Sequence, residues 1–401
     1  MLKKNNKNKQ PKKDAYFALT IATITLAINF WAWSLLSPIG SGLSKNLQLT
    51  PVMLSILLAV PVIIGSLGRI FIGILTDKYG GKMMFVVVSI ATALSVFLLT
   101  FAGDYKHYLL SATLIGFGGT AFVVGIPFVS AWFPASRRGL VLGIYSMGNA
   151  GTALSGFATP WLVNNFGYDK AYIFVASLLV LLAIIFVCWG KNAPGWKPPK
   201  MSPFTRLLSV AKLSFTWDLS IVYAVTFGAL IAFGVYLPTL LKTTYNLSVV
   251  DSALRAGVFV LLATTARPIG GWLSDKFGGR LVIQVALFCI ALLSIFVAFQ
   301  PTLQLQTTVG YLALAFTLGC ANGAVFALVG KLTRPEAMGS VTGIIGSAGG
   351  FGGFIPPILL GLTYQYTNSY AFTLTLLGVT ALFVLFFITK RFKNNKIYCC
   401  A

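Results

Sequence analysis

Charged residues are scarce in this 401-residue chain, where they make up 9% of the sequence and only eight are acidic. Apolar residues account for 57%, and the mean hydropathy is +0.85. This composition excludes a soluble multidomain protein. Apolar runs of about 20 residues recur along the whole length, and each is long enough for a transmembrane helix.

Residue types that support catalysis or metal binding are also few. The chain has one histidine, and its five cysteines show no metal-ligand spacing. An odd number of cysteines argues against a disulfide framework. No nucleophile and base form a recognisable set, so we expect neither an enzyme nor a bound cofactor or metal ion. The adjacent Cys399 and Cys400 raise lipidation as an alternative, but they lack a CaaX pattern.

The net charge of +22 would by itself suggest a nucleic-acid partner. However, about 23 of the basic residues lie in tails and loops on one side of the predicted spans, as the positive-inside rule requires of a cytoplasmic face. We therefore expect no nucleic acid, a multi-pass protein of the cytoplasmic membrane, and both termini in the cytoplasm. The other side carries only Lys45, Lys106, Lys170 and Lys242.

The apolar runs divide into twelve predicted transmembrane helices. Six lie in an N-terminal bundle, 15–190, and six in a C-terminal bundle, 215–390. The proline-rich, basic segment 191–214 is a cytoplasmic linker, and 1–14 and 391–401 are cytoplasmic tails. The predicted fold class is thus an all-α integral membrane protein of two pseudo-symmetric six-helix bundles. The spans are 15–38, 52–75, 82–102, 108–131, 138–162, 169–190, 215–240, 249–273, 280–300, 304–329, 337–360 and 369–389.

One stretch of sequence occurs twice. Residues 69–82 read RIFIGILTDKYGGK and residues 267–280 read RPIGGWLSDKFGGR. Each begins with an arginine that lies about 12 Å along a helix from the aspartate closing the run, near the midplane of a hydrocarbon core. Neither Arg69 nor Arg267 has an acidic residue within its own apolar run. Burying an arginine at this depth costs on the order of 3 kcal/mol, so two at matching positions predict an anion site.

Glycine is concentrated in spans five and eleven. Asn149 lies among the glycines of span five, and span eleven has four glycines within residues 349–353. Small residues permit close helix packing, and they also leave backbone groups open to a small ligand. Packing alone is the common alternative, but the density in span eleven favours both roles. The glycines concerned are Gly148, Gly151, Gly349, Gly350, Gly352 and Gly353.

Two halves of six spans, with the pattern Gly-x-x-x-Asp-Lys-x-Gly-Gly after spans two and eight, resemble the major facilitator superfamily over residues 15–390. Within it, the chain is similar to the nitrate/nitrite porter family. The paired arginines, the glycine-asparagine signature of span five and the glycine run of span eleven carry this likeness. Tyr223 and Phe227 of span seven match the segment that supplies a tyrosine and a phenylalanine to the anion in that family.

The resemblance implies a secondary transporter of nitrate, nitrite or both that works by alternating access. Arg69 and Arg267 would clamp the anion from opposite halves, since a planar guanidinium pairs well with a planar anion. Asn149 and Tyr223 would donate hydrogen bonds to it. Phe227 would cover one of its faces.

Further residues complete the predicted site. Phe122 in span four would form another wall, and the glycines named above would lie close to the ligand. Asp77 and Asp275, at the cytoplasmic boundary, are predicted to act in gating rather than as ligands. The expected partners are therefore a small inorganic anion and the lipid bilayer, and we expect a monomer.

Two alternatives remain for the transported species and its coupling. An oxalate/formate-type exchanger also has an arginine before this loop in span eight, but that family adds a lysine in span eleven, where this chain has no charge between Glu336 and Lys390. Proton-coupled nitrate uptake is the other alternative. Because no carboxylate or histidine lies at midplane depth to carry a proton, we predict nitrate/nitrite antiport.

Overall fold

The computed structural model describes residues 12–199, 201–299 and 302–394, and within these ranges the regular structure is entirely helical. Span one is Lys12–Trp33 and span twelve is Ala371–Asn394. Those between are span two Pro51–Tyr79, span three Gly81–Leu98, span four Tyr105–Ser130, span five with helices Arg138–Ser146 and Gly151–Phe166, span six Tyr168–Trp189, span seven Ser214–Tyr245, span eight Val249–Phe277, span nine Gly279–Ala298, span ten Leu305–Leu332 and span eleven Met338–Thr367.

Span five differs from the other spans in hydropathy. Among the described residues, eleven helices are long and apolar enough to cross a membrane, and span five is not one of them. A 3₁₀ turn, Met147–Ala150, separates its two helices, and glycine and hydroxyl residues make it less apolar. The predicted all-α membrane class is confirmed. The twelve predicted spans correspond to span five and eleven longer apolar helical segments, of which span four also contains a 3₁₀ segment, Gly116–Thr120.

Two short α-helices lie outside the spans in the described residues. One, Gly40–Asn46, follows span one. The other, Pro203–Ala211, lies in the predicted linker and is the linker helix. The face of the protein on which this helix lies is the linker face. It begins with proline after Ser202, whose hydroxyl accepts a hydrogen bond from the Thr205 N–H at 3.3 Å, a favourable helix start. The bundle boundaries stay a prediction, and much of both predicted tails, with Cys399 and Cys400, lies outside the described residues.

The repeated glycine pairs close two tight turns on the linker face. Gly80 and Gly278 end spans two and eight with φ of +82° and +86°, a region that side-chain-bearing residues rarely adopt. The glycine that follows each lets the next span start directly against its neighbour. A Cβ at Gly81 would overlap the Phe128 side chain, and one at Gly279 would overlap Leu328. The second glycine of each pair is therefore required for packing.

Glycines also allow the two halves to approach each other. Span two crosses span eleven where Gly73 meets Gly339 and Gly343, and a Cβ on Gly73 would overlap the Gly339 carbonyl oxygen. Span five crosses span eight in the same way, where Gly139 and Gly271 are in backbone contact. Both crossings lie on the linker-face side of the arginines, so the halves are held together at this end by backbone contact.

We predict that Gly73→Ala destabilises the protein by about 1–3 kcal/mol, because the added methyl group forces spans two and eleven apart. Gly156→Ala is the matched control, since a Cβ there meets nothing within 4 Å and alanine favours the helix. Thermal unfolding of the purified proteins measures both. An equal effect of the two substitutions would contradict a packing role for Gly73.

Candidate functional site

Arg69 lies fully buried between the two halves. Its Nε donates to the Gly119 carbonyl of span four at 3.1 Å, and its Nη1 donates to the Gly346 carbonyl of span eleven at 2.6 Å. Its Nη2 has no hydrogen-bond partner. The guanidinium is therefore held by one carbonyl from each half, with one nitrogen still able to donate.

Arg267 is also fully buried, and it is held more loosely. Its Nη1 donates to the Ser146 carbonyl of span five at 3.5 Å, while Nε and Nη2 have no partner. Among the described residues, no carboxylate forms an ion pair with Arg267 or Arg69. Buried donors are normally satisfied, so three free guanidinium nitrogens in one region indicate a place for an anionic acceptor.

Phe227 brings the two arginines to one site. The Cζ atoms of Arg267 and Arg69 lie 5.4 and 5.9 Å from the centroid of its ring. Tyr223, one helical turn earlier on span seven, stacks on Phe227 with centroids 4.8 Å apart and an interplanar angle of 5°. The Tyr223 hydroxyl is buried and close to the Arg267 guanidinium, and it makes no hydrogen bond of good geometry, so it adds a polar group to the set.

Further aromatic rings enclose this group. Phe122 lies parallel to Tyr223 at 6.5 Å, and Phe326 of span ten contacts both rings edge-on at 4.9 Å. Trp33 and Phe122 each lie 6.0 Å from the Arg69 Cζ. Sequence reasoning missed Phe326, because a phenylalanine in an apolar span carries no distinguishing signal. Trp33 belongs to an aromatic segment of span one that was visible in the sequence.

Two buried asparagines each have one side-chain polar atom without a hydrogen-bond partner. The Asn149 amide donates to the Ser146 carbonyl at 2.9 Å, the same carbonyl that Arg267 approaches, and its Oδ1 has no partner. Asn322 of span ten was missed. It is buried, accepts a hydrogen bond from Thr226 at 2.8 Å, and has a free amide nitrogen. An asparagine in an apolar span was an available signal.

The glycines of span eleven separate into two groups. A Cβ at Gly349 would overlap the Tyr223 ring, and one at Gly350 would overlap the Ser66 hydroxyl and lie 3.4 Å from the Arg69 Nη1. These two glycines thus lie beside the free donors. Gly352 and Gly353 face span seven at Ala224 and Ile231, which are not predicted site residues.

The span-five glycines face away toward span one. A Cβ at Gly148 would overlap the Leu26 side chain, and one at Gly151 would overlap the Ala27 backbone. Their small size is used for helix packing in this structure. Ligand contact by Gly148 and Gly151 stays a prediction.

Asp77 lies at the linker-face end of span two and contacts the other half. Its carboxylate accepts hydrogen bonds from the Gly339 N–H at 2.7 Å, the Ser340 N–H at 2.8 Å and the Ser340 hydroxyl at 2.6 Å. These groups open span eleven, so the carboxylate caps that helix and faces the positive end of its dipole.

Asp275 makes the corresponding contact from the C-terminal half to the N-terminal half. It lies on span eight and accepts hydrogen bonds at the start of span five from the Gly139 N–H at 3.1 Å and the Leu140 N–H at 3.0 Å. Each half thus supplies a carboxylate that caps a helix of the other half. In the part of the chain that the structure describes, neither aspartate bonds Arg69 or Arg267, and their gating role stays a prediction.

Two repeated halves of membrane-crossing helices, with unpaired donors buried between them, form the architecture of a secondary transporter. The sequence profile of the Major Facilitator Superfamily matches residues 22–357. The chain is 39% identical over 368 residues to the "Probable nitrate/nitrite transporter NarK2" of Mycobacterium tuberculosis, covering 91% of this chain and 93% of that one. The chain belongs to the major facilitator superfamily and, within it, to the nitrate/nitrite porter family, as the resemblance predicted.

Other similar proteins agree with this assignment. The "Nitrite extrusion protein" of Bacillus subtilis is 34% identical over 367 residues, covering 92% of each chain. Among solved structures, that of the human organic anion transporter MFSD10 covers 95% of this chain and 100% of that chain, with a TM-score of 0.77. Its 14% identity supports the fold alone.

We predict that Asp77→Ala destabilises the protein by about 2–4 kcal/mol, because it leaves buried N–H groups of span eleven unpaired. Asp275 is less buried and accepts two bonds, so Asp275→Ala is expected to cost about 1–2 kcal/mol. Thermal unfolding of the two variants in the same detergent compares them. A larger loss for Asp275→Ala would contradict this ranking.

Proposed function

We propose that this protein carries nitrate and nitrite across the cytoplasmic membrane by alternating access, and that it exchanges one anion for the other. The observation that carries the proposal is the pair of buried arginines, Arg69 and Arg267, which both face the Phe227 ring. Three of their nitrogens have no hydrogen-bond partner, and no carboxylate of the described residues pairs with them. The printed names of the relatives, a nitrate/nitrite transporter and a nitrite extrusion protein, support these substrates.

The donor set suits a small planar anion. Guanidinium groups are planar and present N–H donors in a fixed fork, whereas an ammonium group acts as a point charge. The parallel rings of Tyr223 and Phe227 form a flat wall beside these donors. Nitrate and nitrite are planar and monovalent, so they can accept from both arginines and the Tyr223 hydroxyl while lying against this wall.

Charge favours occupancy of the site. Both guanidinium groups lie close to the Phe227 ring, so they are at most about 11 Å apart and repel each other by on the order of 2 kcal/mol at an effective dielectric of 20. A bound monovalent anion offsets this repulsion. The aromatic rings exclude water, which strengthens each charged contact.

The same charge balance favours exchange over net uptake. Moving the site through a closed state is costly when two unpaired cations are present, and bound anion lowers that cost. No carboxylate or histidine lies beside Arg69 or Arg267 in the described part of the chain to carry a proton instead. Reorientation is therefore easier for the loaded protein than for the empty one, which is the property of an exchanger.

Alternating access requires the linker face to open. The glycine crossings and the carboxylates of Asp77 and Asp275 hold that face together. We propose that both carboxylates leave the helix starts they cap when the face opens.

The distribution of basic residues supports a cytoplasmic position for the linker face and both termini. Apolar side chains exposed around the bundle, such as Leu94, Phe383 and Phe386, suit contact with lipid by a monomer.

Arg69→Lys and Arg267→Lys test the anion clamp. Each keeps the charge but loses the fork, so we expect nitrate transport to fall at least about tenfold, the effect of roughly 1.4 kcal/mol, while the protein stays folded. Arg255→Lys is the matched control, because Arg255 is exposed and pairs with Asp251 at 3.0 Å. Uptake of labelled nitrate into proteoliposomes measures all three. Near-normal uptake by either site variant would reject the shared clamp.

Exchange is tested with pH and membrane potential controlled separately. We expect internal nitrite to accelerate nitrate entry strongly, and a proton gradient without internal anion to do little, because the empty site reorients slowly. Vesicles loaded with oxalate or formate serve as the comparison. Accumulation driven by the pH gradient alone would favour proton coupling, and stronger stimulation by oxalate would favour a carboxylate exchanger.

A further inference from the structure

The linker helix Pro203–Ala211 is attached to the C-terminal half. Two side chains at the start of span seven donate hydrogen bonds to carbonyls in the last turn of the linker helix. Thr216 Oγ1 bonds the Val210 carbonyl at 3.1 Å, and Trp217 Nε1 bonds the Ala211 carbonyl at 2.7 Å. The Val210 carbonyl also accepts from the Leu213 N–H at 3.1 Å, and the two side-chain bonds fix the end of the linker helix to span seven.

Arg206 extends from this helix to the other half. It is only 3% exposed, and its Nη2 donates to the Met201 carbonyl at 2.8 Å. Its Nη1 lies 3.8 Å from the Asp77 Oδ2, and both side chains are almost fully buried. Nη1 and Nε form no hydrogen bond. A helix fixed to span seven therefore places a buried cation beside the carboxylate that caps span eleven.

The mirror carboxylate lacks this contact. Asp275 is less buried than Asp77, and in the described residues no side chain of the linker forms an ion pair with it. The nearby cation is Lys331 of span ten, which belongs to the same half and donates to the Ser274 carbonyl at 3.2 Å. The crossing of spans two and eleven and the crossing of spans five and eight thus have similar backbone contacts. They differ in the cation that lies near the carboxylate.

We infer that Arg206 is a positioning residue that keeps the linker face closed by pairing with Asp77 across the two halves. The inference rests on the proposed gating role of Asp77. The hydrogen-bond donors on Asp77 are neutral, so Arg206 supplies the opposite charge for a buried carboxylate. Without it the buried carboxylate keeps its neutral donors and the helix dipole but has no paired cation in the closed state, whereas it can reach water once the face opens.

Label pairs placed at both crossings test this inference. With the five native cysteines replaced by serine or alanine, nitroxide labels at Lys78→Cys and Glu336→Cys report the crossing of spans two and eleven. Labels at Arg137→Cys and Lys276→Cys report the crossing of spans five and eight. Pulsed electron double resonance gives both distances without reference to which anion is carried, so failure of the nitrate proposal does not affect the readout.

We expect Arg206→Gln to raise the population of long distances about tenfold at both crossings, since the whole face opens. Arg206→Lys, which keeps the charge, should restore most of the closed population. Lys212→Gln, an exposed linker lysine, is the matched control and should leave both distributions unchanged. Unchanged distances in Arg206→Gln, or lengthening confined to the pair at 78 and 336, would overturn the inference.

A double-mutant cycle separates this role from stabilisation of the linker helix. Asp77→Asn should itself raise the long-distance population, and adding Arg206→Gln to it should produce little further change, because the charge on which Arg206 acts is gone. Additive effects of the two substitutions would show that Arg206 acts independently of Asp77 and would reject the proposal. Because Asp77→Asn keeps the side-chain shape, it remains testable if Arg206→Gln fails to fold.

Discussion

Burying two arginines in one apolar core without a carboxylate partner is the constraint on which this structure depends. Arg69 and Arg267 have no exposed surface, and each must find acceptors from the backbone. Those acceptors are the carbonyls of Gly119, Gly346 and Ser146. Acidic side chains would satisfy the guanidinium groups fully and leave no donor for an anion. Backbone carbonyls hold the arginines in place while leaving part of their donor capacity free.

Helix irregularities supply these carbonyls in the N-terminal half. Span four contains a 3₁₀ segment, Gly116–Thr120, which includes the acceptor Gly119. Span five turns to 3₁₀ at Met147–Ala150, directly after the acceptor Ser146. Glycine and asparagine lower helix propensity there, so the sequence accounts for the breaks and for the low hydropathy of span five. The glycines at the two linker-face crossings, Gly73 with Gly339 and Gly139 with Gly271, act differently, because they bring the backbones of opposite halves into contact.

The repeated stretch predicted both arginines and both aspartates, since the same chemistry at the same depth in two halves cannot be explained by lipid contact. The residues that contact these arginines and aspartates could not be predicted from the sequence in the same way. Phe326 lies in an apolar span where any phenylalanine would look alike, and Arg206 resembles every other basic residue of the linker face. Asn149 donates one amide hydrogen to the Ser146 carbonyl, a contact that the sequence did not indicate, and its hydrogen bond to an anion stays a prediction. The roles of these residues depend on contacts between spans that are distant in sequence. The hydrophobic periodicity of a single span carries no information about such contacts.

Spans two and eleven join the arginine site to the contact of Asp77 with the start of span eleven. Arg69 and Asp77 lie about 12 Å apart on one helix, and their partners Gly346 and Gly339 lie at a similar separation on the other. Because neither helix is broken between these positions, any motion that separates Asp77 from Gly339 acts on the Arg69–Gly346 bond too. An anion bound by the free Nη2 of Arg69, as proposed, would lie beside the Nη1 bond to the Gly346 carbonyl. The proposed anion site and the proposed opening of the linker face are therefore linked through spans two and eleven.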